Sequence, residues 1–394
     1  MKIVHICAHF NTIIEYQDLA LVRKQIKQGH EVVVITSDYH FNFPNYDETY
    51  KDILGDRYIG TGVFYEENIK IIRLPLKSRP NFILYLKGLR ETLKNEKPDA
   101  IICHGYEHGI LGLQSYLNNV PIIIDSHFVN YHHMNYNLFK DFLYQIIKIL
   151  KSYYLSKKNN IFFVGVTEES VNYLIKQNLP KEKIEFIPLG VDTNVFHKDY
   201  NLRMRVREKL NLKESDFVIC YSGKIEEYKG VHLLIEALKN LSNNSIYLLI
   251  IGTGSKNYLA NIKKMIHNYR LNNNVVFIPF CNKIELNEFY NASDIAVFPL
   301  NITISHIEAL ASGLPIIVEK IPAAVHRVKY NNGFLVERND LKSLCEKIEI
   351  LRTDKELREK MSLNAIRLAK ECYSWNIIND SFLKLLKKIK DNNK

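Results

Sequence analysis

The sequence predicts an α/β fold made of two doubly wound domains. Short, continuous runs of Val, Ile and Leu recur along both halves of the chain, with amphipathic segments of helical length between them. The alternation breaks near residues 190 to 210, in a Pro/Gly turn and a charged stretch, and then restarts. Unbroken apolar strands separated by helices signal a parallel sheet covered on both faces. A chain of 394 residues has room for two such domains.

The elements follow in order. "KIVHICAHF" (2–10) reads as a strand, "YQDLALVRKQIKQGH" (16–30) as an amphipathic helix and "EVVVITSD" (31–38) as a second buried strand. "IKIIRLPL", "DAIICHG", "PIIIDSHF" and "FFVGVT" are further strands, with a helix expected over "LYLKGLRETLKNE" (84–96). "KIEFIPLGVDTNVF" (183–196) closes the first series, and a polar segment runs to Asp216. The second series is "FVICYSG", helix "GVHLLIEALKNL", "IYLLIIGTG", helix "NYLANIKKMIHNYR", "NVVFIPF", helix "ELNEFYNA" and "DIAVFPL". A short helix "SHIEALASG" and the strand "LPIIVEK" complete it. The expected domains are 1–192 and 193–375, with 376–394 a terminal helix packing back on the first domain. In such sheets ligands sit beyond the carboxyl ends of the strands.

Composition narrows the partners. Six cysteines are scattered with no C-x-x-C, which suits a reducing, cytoplasmic setting. The start "MKIVHICAHF" is no signal peptide, and no run approaches about 18 apolar residues. A net charge of +10 favours acidic partners such as nucleotides or anionic lipid. Nucleic acid is not expected, because no sheet interleaves aromatic and basic residues as RNA modules do.

Three strand-to-helix loops carry candidate chemistry. "YSGKIEEYKGV" (221–231) holds Gly223, Lys224 and Lys229 where a strand enters a helix. Two ammonium groups beside helix-start amides suit a pyrophosphate; a pair of solvated lysines is the alternative. "IIGTGSKNYL" has Gly252 and Gly254 leaving a strand as G-x-G, without the third glycine of a dinucleotide fingerprint. A tight turn is its simpler reading. In "NITISHIEALASG", Asn301, Thr303, Ile304 and Ser305 precede or open the short helix, and Glu308 is its lone carboxylate. Glu308 either complements the helix dipole or accepts hydrogen bonds from neutral hydroxyls such as ribose.

The first half offers His104, His108 and His127, each after a strand. Their spacing matches no zinc motif, and no D-x-D occurs anywhere, so neither metal nor cofactor is expected. "LFKDFLYQIIKILKSYYLSKKNN" (138–160) is basic, aromatic and apolar. It suits either a helix lying on an anionic membrane, with contact expected through 138–158, or a core helix with a solvated rim.

Together these segments resemble the large retaining glycosyltransferase family 4, of GT-B fold, typified by sucrose synthase, glycogen synthase and bacterial mannosyl- and glucosyltransferases. "QIKQGHEVVVIT" is similar to that family's first helix and second strand, and "IPLGVDTNVF" to its interdomain signature. "GKIEEYKGVHLLIEAL" looks like its donor loop, "IEALASGLPIIV" like the second half of its E-x₇-E motif, and "YSW" (373–375) like the element before its last helix. The resemblance spans nearly the whole chain. It implies two Rossmann-like domains facing a central cleft, a nucleotide-diphosphate sugar as donor, and a glycan or lipid-linked acceptor. Lys224 and Lys229 would hold the diphosphate without a metal, with His127 beside the transferred sugar. Glu308 would bind the ribose, and the loop at Gly223 and Gly252 and the amides of Thr303, Ile304 and Ser305 would touch phosphate and sugar. His104 would stand on the substrate side of the first domain.

Three departures stand out. Leu300 occupies the place of the first motif glutamate, so glutamate there is expected to alter sugar choice and leave diphosphate affinity alone. Lys224 replaces the usual arginine, keeping charge but losing a bidentate fork. "NTIIEYQD" replaces a glycine-rich loop, and Glu15, Tyr16, Gln17 and Asp18 are expected to meet the acceptor. A nucleotide-sugar epimerase of the same fold, or a degenerate partner that only binds nucleotide, are the competing readings.

Overall fold

The computed structural model describes residues 1–14, 16–41, 46–78, 84–106, 120–127, 152–241 and 245–392. Among them, the first half contributes β1 (Lys2–Ile6), β2 (Glu31–Ser37), β3 (Gly62–Glu66), β4 (Ile69–Leu74), β5 (Leu76–Ser78), β6 (Leu84–Leu86), β7 (Ala100–Cys103), β8 (Ile122–Ser126), β9 (Ile161–Gly165) and β10 (Ile184–Phe186). The second half contributes β11 (Phe217–Ser222), β12 (Ile246–Ile251), β13 (Val275–Ile278), β14 (Ile295–Phe298), β15 (Ile316–Glu319) and β16 (Gly333–Val336). The chain divides into two compact units, Met1–Leu189 with Trp375–Lys394, and Gly190–Ser374.

In the first unit the sheet order is β10-β9-β8-β7-β1-β2-β4-β3, parallel except for the edge strand β3, which runs against β4. β1 lies between β2 and β7, in register Ile3↔Val32 and Ile3↔Ala100. The central strands are buried along nearly their whole length, polar members such as His5 and Thr36 included. Ile3, Ile6, Val33, Ile35, Ile101 and Ile122 are all essentially buried. On one face the Trp375–Asp391 helix seats Trp375, Ile378, Phe382, Leu385 and Ile389 against Ile3, Leu21, Phe162 and Val164. Those positions recur every three or four residues, the stripe a core-facing helix needs.

The expected helix over 84–96 is shorter than its sequence suggests. Leu84–Leu86 pairs antiparallel with β5 as a hairpin, Gly88 takes a left-handed φ of +90°, and the helix runs only from Leu89 to Glu96. A glycine in that region ends a strand at little steric cost. The antiparallel edge β3 was not anticipated, because its residues are only partly buried and read as loop.

The second unit has a fully parallel sheet of order β13-β12-β11-β14-β15-β16. The order reverses between β11 and β14, whose register is Ile219↔Ile295 and Cys220↔Ala296. Loops leaving strands at such a reversal diverge to opposite faces and leave a crevice. The polar stretch before β11 contains a helix, Tyr200–Lys209, capped by Asp199. It is anchored by Arg207, which is 2% exposed and bonds the carbonyls of Ala292 and Asp216 and the carboxylate of Asp294. All six cysteines are free thiols. Among the described residues no helix is long and apolar enough to cross a membrane.

Candidate functional site

In the second unit the site is assembled by the loops leaving β11 and β14, at the reversal of strand order. The β11 loop is held first by its own neighbours. Gly223 N–H donates to Ile251 O at 3.0 Å and Ile225 N–H to Thr253 O at 2.8 Å. A Cβ on Gly252 would stand 2.0 Å from Gly223 O, and one on Gly254 1.8 Å from Ile225 O. The G-x-G is therefore required by two strand exits packed backbone on backbone. Glu226 clamps the same junction, accepting from Ser255 N–H and Oγ, both at 3.0 Å.

Beyond that clamp the β11 and β14 loops are tied to each other. Lys229 Nζ donates to Ile302 O at 2.9 Å. Asn301, with a left-handed φ of +62°, donates its side-chain amide to Tyr228 O and its backbone N–H to Glu319 at 2.6 Å. Gly230 also lies in the left-handed region, at φ +74°, and its ideal Cβ would meet Leu300 Cγ at 2.7 Å. Leu300 is 5% exposed. It is thus packed on the turn that launches the Val231–Leu241 helix, and a glutamate there would act on the lysine loop itself, contrary to the sequence expectation.

Burial, then the like charge of Lys224, pulls the Lys229 ammonium down to about 8, against the pull of Glu319. Lys224 itself is exposed. Thr303 Oγ1 lies 3.9 Å from where a Gly223 Cβ would stand, which brings the start of the β14 loop beside the end of β11. Tyr290 stitches the two underneath, with its hydroxyl 2.6 Å from Ser222 Oγ and 3.5 Å from Ser305 O. Ile304 caps the short helix Ser305–Ala311, in which every residue is buried, Glu308 included. The charge of Glu308 reaches Cys281, beyond β13, and Tyr290, and helps push both up after burial has done so. Glu308 is thus 7% exposed in the first turn of the helix that follows the β14 loop.

Two members of this site were not read from sequence. Glu319 closes β15, is 3% exposed, and accepts from both Asn301 N–H and Arg338. Its signal was present: a carboxylate ending an apolar run, at a strand's carboxyl end. The His306 ring lies tilted against Phe298, with centroids 4.5 Å apart, and neither ring nitrogen has a partner among the described residues. Burial, then Arg327 and Lys229, keep it neutral.

The first unit gathers a second set of groups, at the ends of β1, β7 and β8. His104 Nδ1 lies 2.6 Å from Asp125 Oδ2, and His127 Nε2 lies 3.4 Å from Asp125 Oδ1. Burial opposes the Asp125 charge, but the two imidazoles win and hold the carboxyl well below its usual range. Asp18, at the start of the Gln17–Lys27 helix, is raised by burial despite the pull of His104. Tyr16 precedes that helix half exposed, whereas Gln17 is buried with neither amide atom partnered among the described residues. Glu15 and His108 lie outside the described residues, as does most of 138–158. His104, Asp125 and His127 have ligand atoms within 4.8 Å of one another, as a cation triad would. Both nitrogens of His104 and both oxygens of Asp125, however, are engaged within the protein. That organises the set as a hydrogen-bonded file.

Comparison with known proteins agrees with this architecture. Residues 19–195 match the Glycosyltransferase Family 4 model, and 203–368 match Glycosyl transferases group 1. An uncharacterized glycosyltransferase of Methanocaldococcus jannaschii is 24% identical over 90% of this chain and 88% of its own. The capsular polysaccharide biosynthesis glycosyltransferase CapM of Staphylococcus aureus is 26% identical over 77% of this chain and 81% of its own. Among solved structures, Anabaena HepE in complex with UDP superposes with a TM-score of 0.71 at 16% identity, over 98% of this chain and 100% of HepE. With its two parallel sheets and both family halves in order, the chain belongs to the family-4 glycosyltransferases of GT-B fold.

Proposed function

We propose that the protein moves a hexose-type sugar from a nucleotide-diphosphate sugar to a glycan or lipid-linked acceptor, with retention at the anomeric carbon and without a metal. The observation that carries this reading is the tying of the lysine loop to the Asn301–Ser305 loop at the reversal of strand order, with the buried Glu308 just behind. HepE was solved with UDP and CapM is named for capsular polysaccharide synthesis, which supports a nucleotide donor and a glycan product.

In this reading Lys224 and Lys229 hold the diphosphate, Glu308 accepts hydrogen bonds from the ribose hydroxyls, and His127 contacts the transferred sugar. The bond from the anomeric carbon to the phosphate oxygen breaks, and charge builds on the outer phosphate. The ammonium of Lys229, already held at Ile302 O, stabilises that charge with little reorganisation, the kind of preorganised electrostatics from which much rate enhancement arises, and Lys224 adds its charge from the exposed side of the loop. The acceptor oxygen attacks from the face the phosphate leaves, and its proton passes to a phosphate oxygen. Configuration is kept, and no carboxylate nucleophile is needed at Leu300. Tyr16, Gln17 and Asp18 are assigned to the acceptor.

The test is release of nucleoside diphosphate from a panel of nucleotide sugars, preceded by thermal-shift screening, since a ligand that binds only the folded chain raises its apparent stability. Diphosphate release only with acceptor present supports transfer. Interconversion of the sugar without release would indicate an epimerase. Stabilisation without turnover of any donor would indicate a nucleotide-binding partner.

A further inference from the structure

The second unit carries a cavity of about 1000 Å³ at the opposite end of its sheet from the lysine loop. It lies at the amino ends of β11, β12 and β14, between the Tyr200–Lys209 helix and the Lys355–Leu368 helix. Small-molecule sites typically enclose about 300–1,000 Å³. Most charged groups that line it are already engaged. Asp199 accepts from Asn201 and Leu202 N–H at the start of the first helix. Asp216 accepts from Lys213 N–H, and Asp294 from Arg203, Arg207 and Val218 N–H. Glu214 lies 3.4 Å from Arg203 Nε, Glu359 lies 3.8 Å from Lys355 Nζ, and Arg352 pairs with Glu349.

Two cations differ. Lys198 Nζ donates to a hydroxyl, Ser362 Oγ, at 2.9 Å, and Arg358 donates to the carbonyls of Leu351 and Arg352. Among the described residues neither pairs with a carboxylate. Burial pulls the Lys198 ammonium down, and Glu359 opposes that pull only from a distance. Arg358 and Ser362 stand one turn apart on one helix and so share a face. An ammonium, a guanidinium and a hydroxyl therefore converge on one part of the wall. All three donate to an anion, and phosphate oxygens accept such bonds with the strength that charge confers. The Phe217 ring is already covered by Arg358, 5.4 Å from its centroid, so no nucleobase stacks there. The exposed Tyr200 ring and carboxylates that retain acceptor capacity suit the hydroxyls and ring of a sugar.

We propose that this cavity is a second small-molecule site, which takes a sugar phosphate: Lys198, Arg358 and Ser362 hold the phosphate, and the bound ester steadies the Ser305–Ala311 helix from its carboxyl end. Gly313 carries the second part. It ends that helix at a left-handed φ of +83°, and a Cβ there would stand 3.1 Å from Lys198 Cδ and 3.2 Å from Ser362 Oγ. The Lys198 stem and this turn are thus packed on each other. Ser312, just before it, donates its N–H to Glu308 O at 3.1 Å. Tyr290 lines the cavity as well, and its hydroxyl reaches Ser222 Oγ and Ser305 O at the helix's other end. A phosphate that draws on Lys198 and Ser362 therefore clamps the helix that bears Glu308. Coupling of this kind acts equally in both directions. The inference stands apart from the transferase reading, and its test needs no turnover.

Calorimetry of the full chain compares glucose 1-phosphate, glucose and inorganic phosphate. The expected result is one saturable site for the ester, with glucose and phosphate each about tenfold weaker or more. Lys198→Met and Arg358→Gln should each weaken the ester by about tenfold or more, the loss of one charged hydrogen bond. Lys229→Ala, at the other end of the sheet, should leave ester affinity unchanged, which separates this cavity from the donor loops. The wild-type comparison of the three ligands serves if neither cavity variant folds. Amide hydrogen exchange reads the effect on the helix. With the ester at ten times its Kd, openings of residues 305–314 that release it should slow by about tenfold. No saturable ester binding, phosphate held as tightly as the ester, an ester affinity lost in Lys229→Ala and kept in Lys198→Met, or exchange at 305–314 that ignores the ester would each overturn the proposal. Ester binding at this cavity in a chain that binds no nucleotide would support it and refute the transferase reading alone.

Discussion

Raising the pH through the titration of Lys229 should release the donor diphosphate. Lys229 is bonded to Ile302 O, faces the like charge of Lys224, and is lowered to about 8 chiefly by burial. Only its protonated form attracts a phosphate, so the apparent Kd scales as one plus the ratio of neutral to charged lysine. With a midpoint near 8, UDP should bind about tenfold more weakly at pH 9 than at pH 7. The direction is fixed by linkage: a bound anion favours the protonated lysine, so affinity is full below the midpoint and falls above it. Lys229→Ala should lose about 1.5–3 kcal/mol of UDP affinity at pH 7, the worth of a charged hydrogen bond, and should abolish the slope. Isothermal calorimetry at constant ionic strength reads both quantities. A wild-type Kd that is flat from pH 7 to 9, or the same slope in Lys229→Ala, would refute the assignment of this lysine to the diphosphate.

Glu308→Ala should weaken UDP by about 1.5–3 kcal/mol, and UDP lacking its 2′- and 3′-hydroxyls should bind wild type and variant alike; equal losses for both ligands would return Glu308 to a structural role. Gly230→Ala places a Cβ against Leu300 in a left-handed turn and should cost about 1–2 kcal/mol of stability from backbone strain, read by urea unfolding, with weaker UDP binding. Leu300→Glu should also lower both stability and UDP affinity, because an unpaired carboxylate would be buried on the lysine loop; unchanged UDP affinity would show that this contact does not shape the site. Transfer should persist in EDTA, whereas loss on chelation and rescue by Mg²⁺ or Mn²⁺ would displace the lysines as the main stabilisers of departing charge.

Much of the fold was legible because parallel strands buried on both faces leave an unmistakable trace. "EVVVITS" and "IYLLII" can be little else when helices flank them. What escaped was held by weaker signals. β3 is an exposed antiparallel edge, and the hairpin at Leu84–Leu86 depends on Gly88 breaking a run whose apolar spacing also fits a helix. The helix Tyr200–Lys209 is anchored by buried Arg207 rather than by an apolar stripe, so periodicity could not find it.

The site divides along the same line. Residues recognised by type at a strand exit, such as Lys229, Gly223 and Glu308, could be picked out one at a time. Those that matter through a partner could not. Leu300 looked like a missing carboxylate in the sequence, yet in the fold it is the side chain that covers Gly230. Glu319, distant in sequence, supplies a carboxylate to the same loop by accepting from Asn301 N–H. Because that bond holds the backbone rather than a ligand, a buried Glu319 and a buried Leu300 together fix the height at which Asn301 and Ile302 meet the lysine loop. Lys229 is thereby tied to the second loop through a carbonyl, Ile302 O, at 2.9 Å. Its ammonium is pulled down by burial and by Lys224 and supported by Glu319. A lysine set between two strand-exit loops at the reversal of strand order stands where an anion would meet both loops at once, and this placement is the physical reason to expect the diphosphate there.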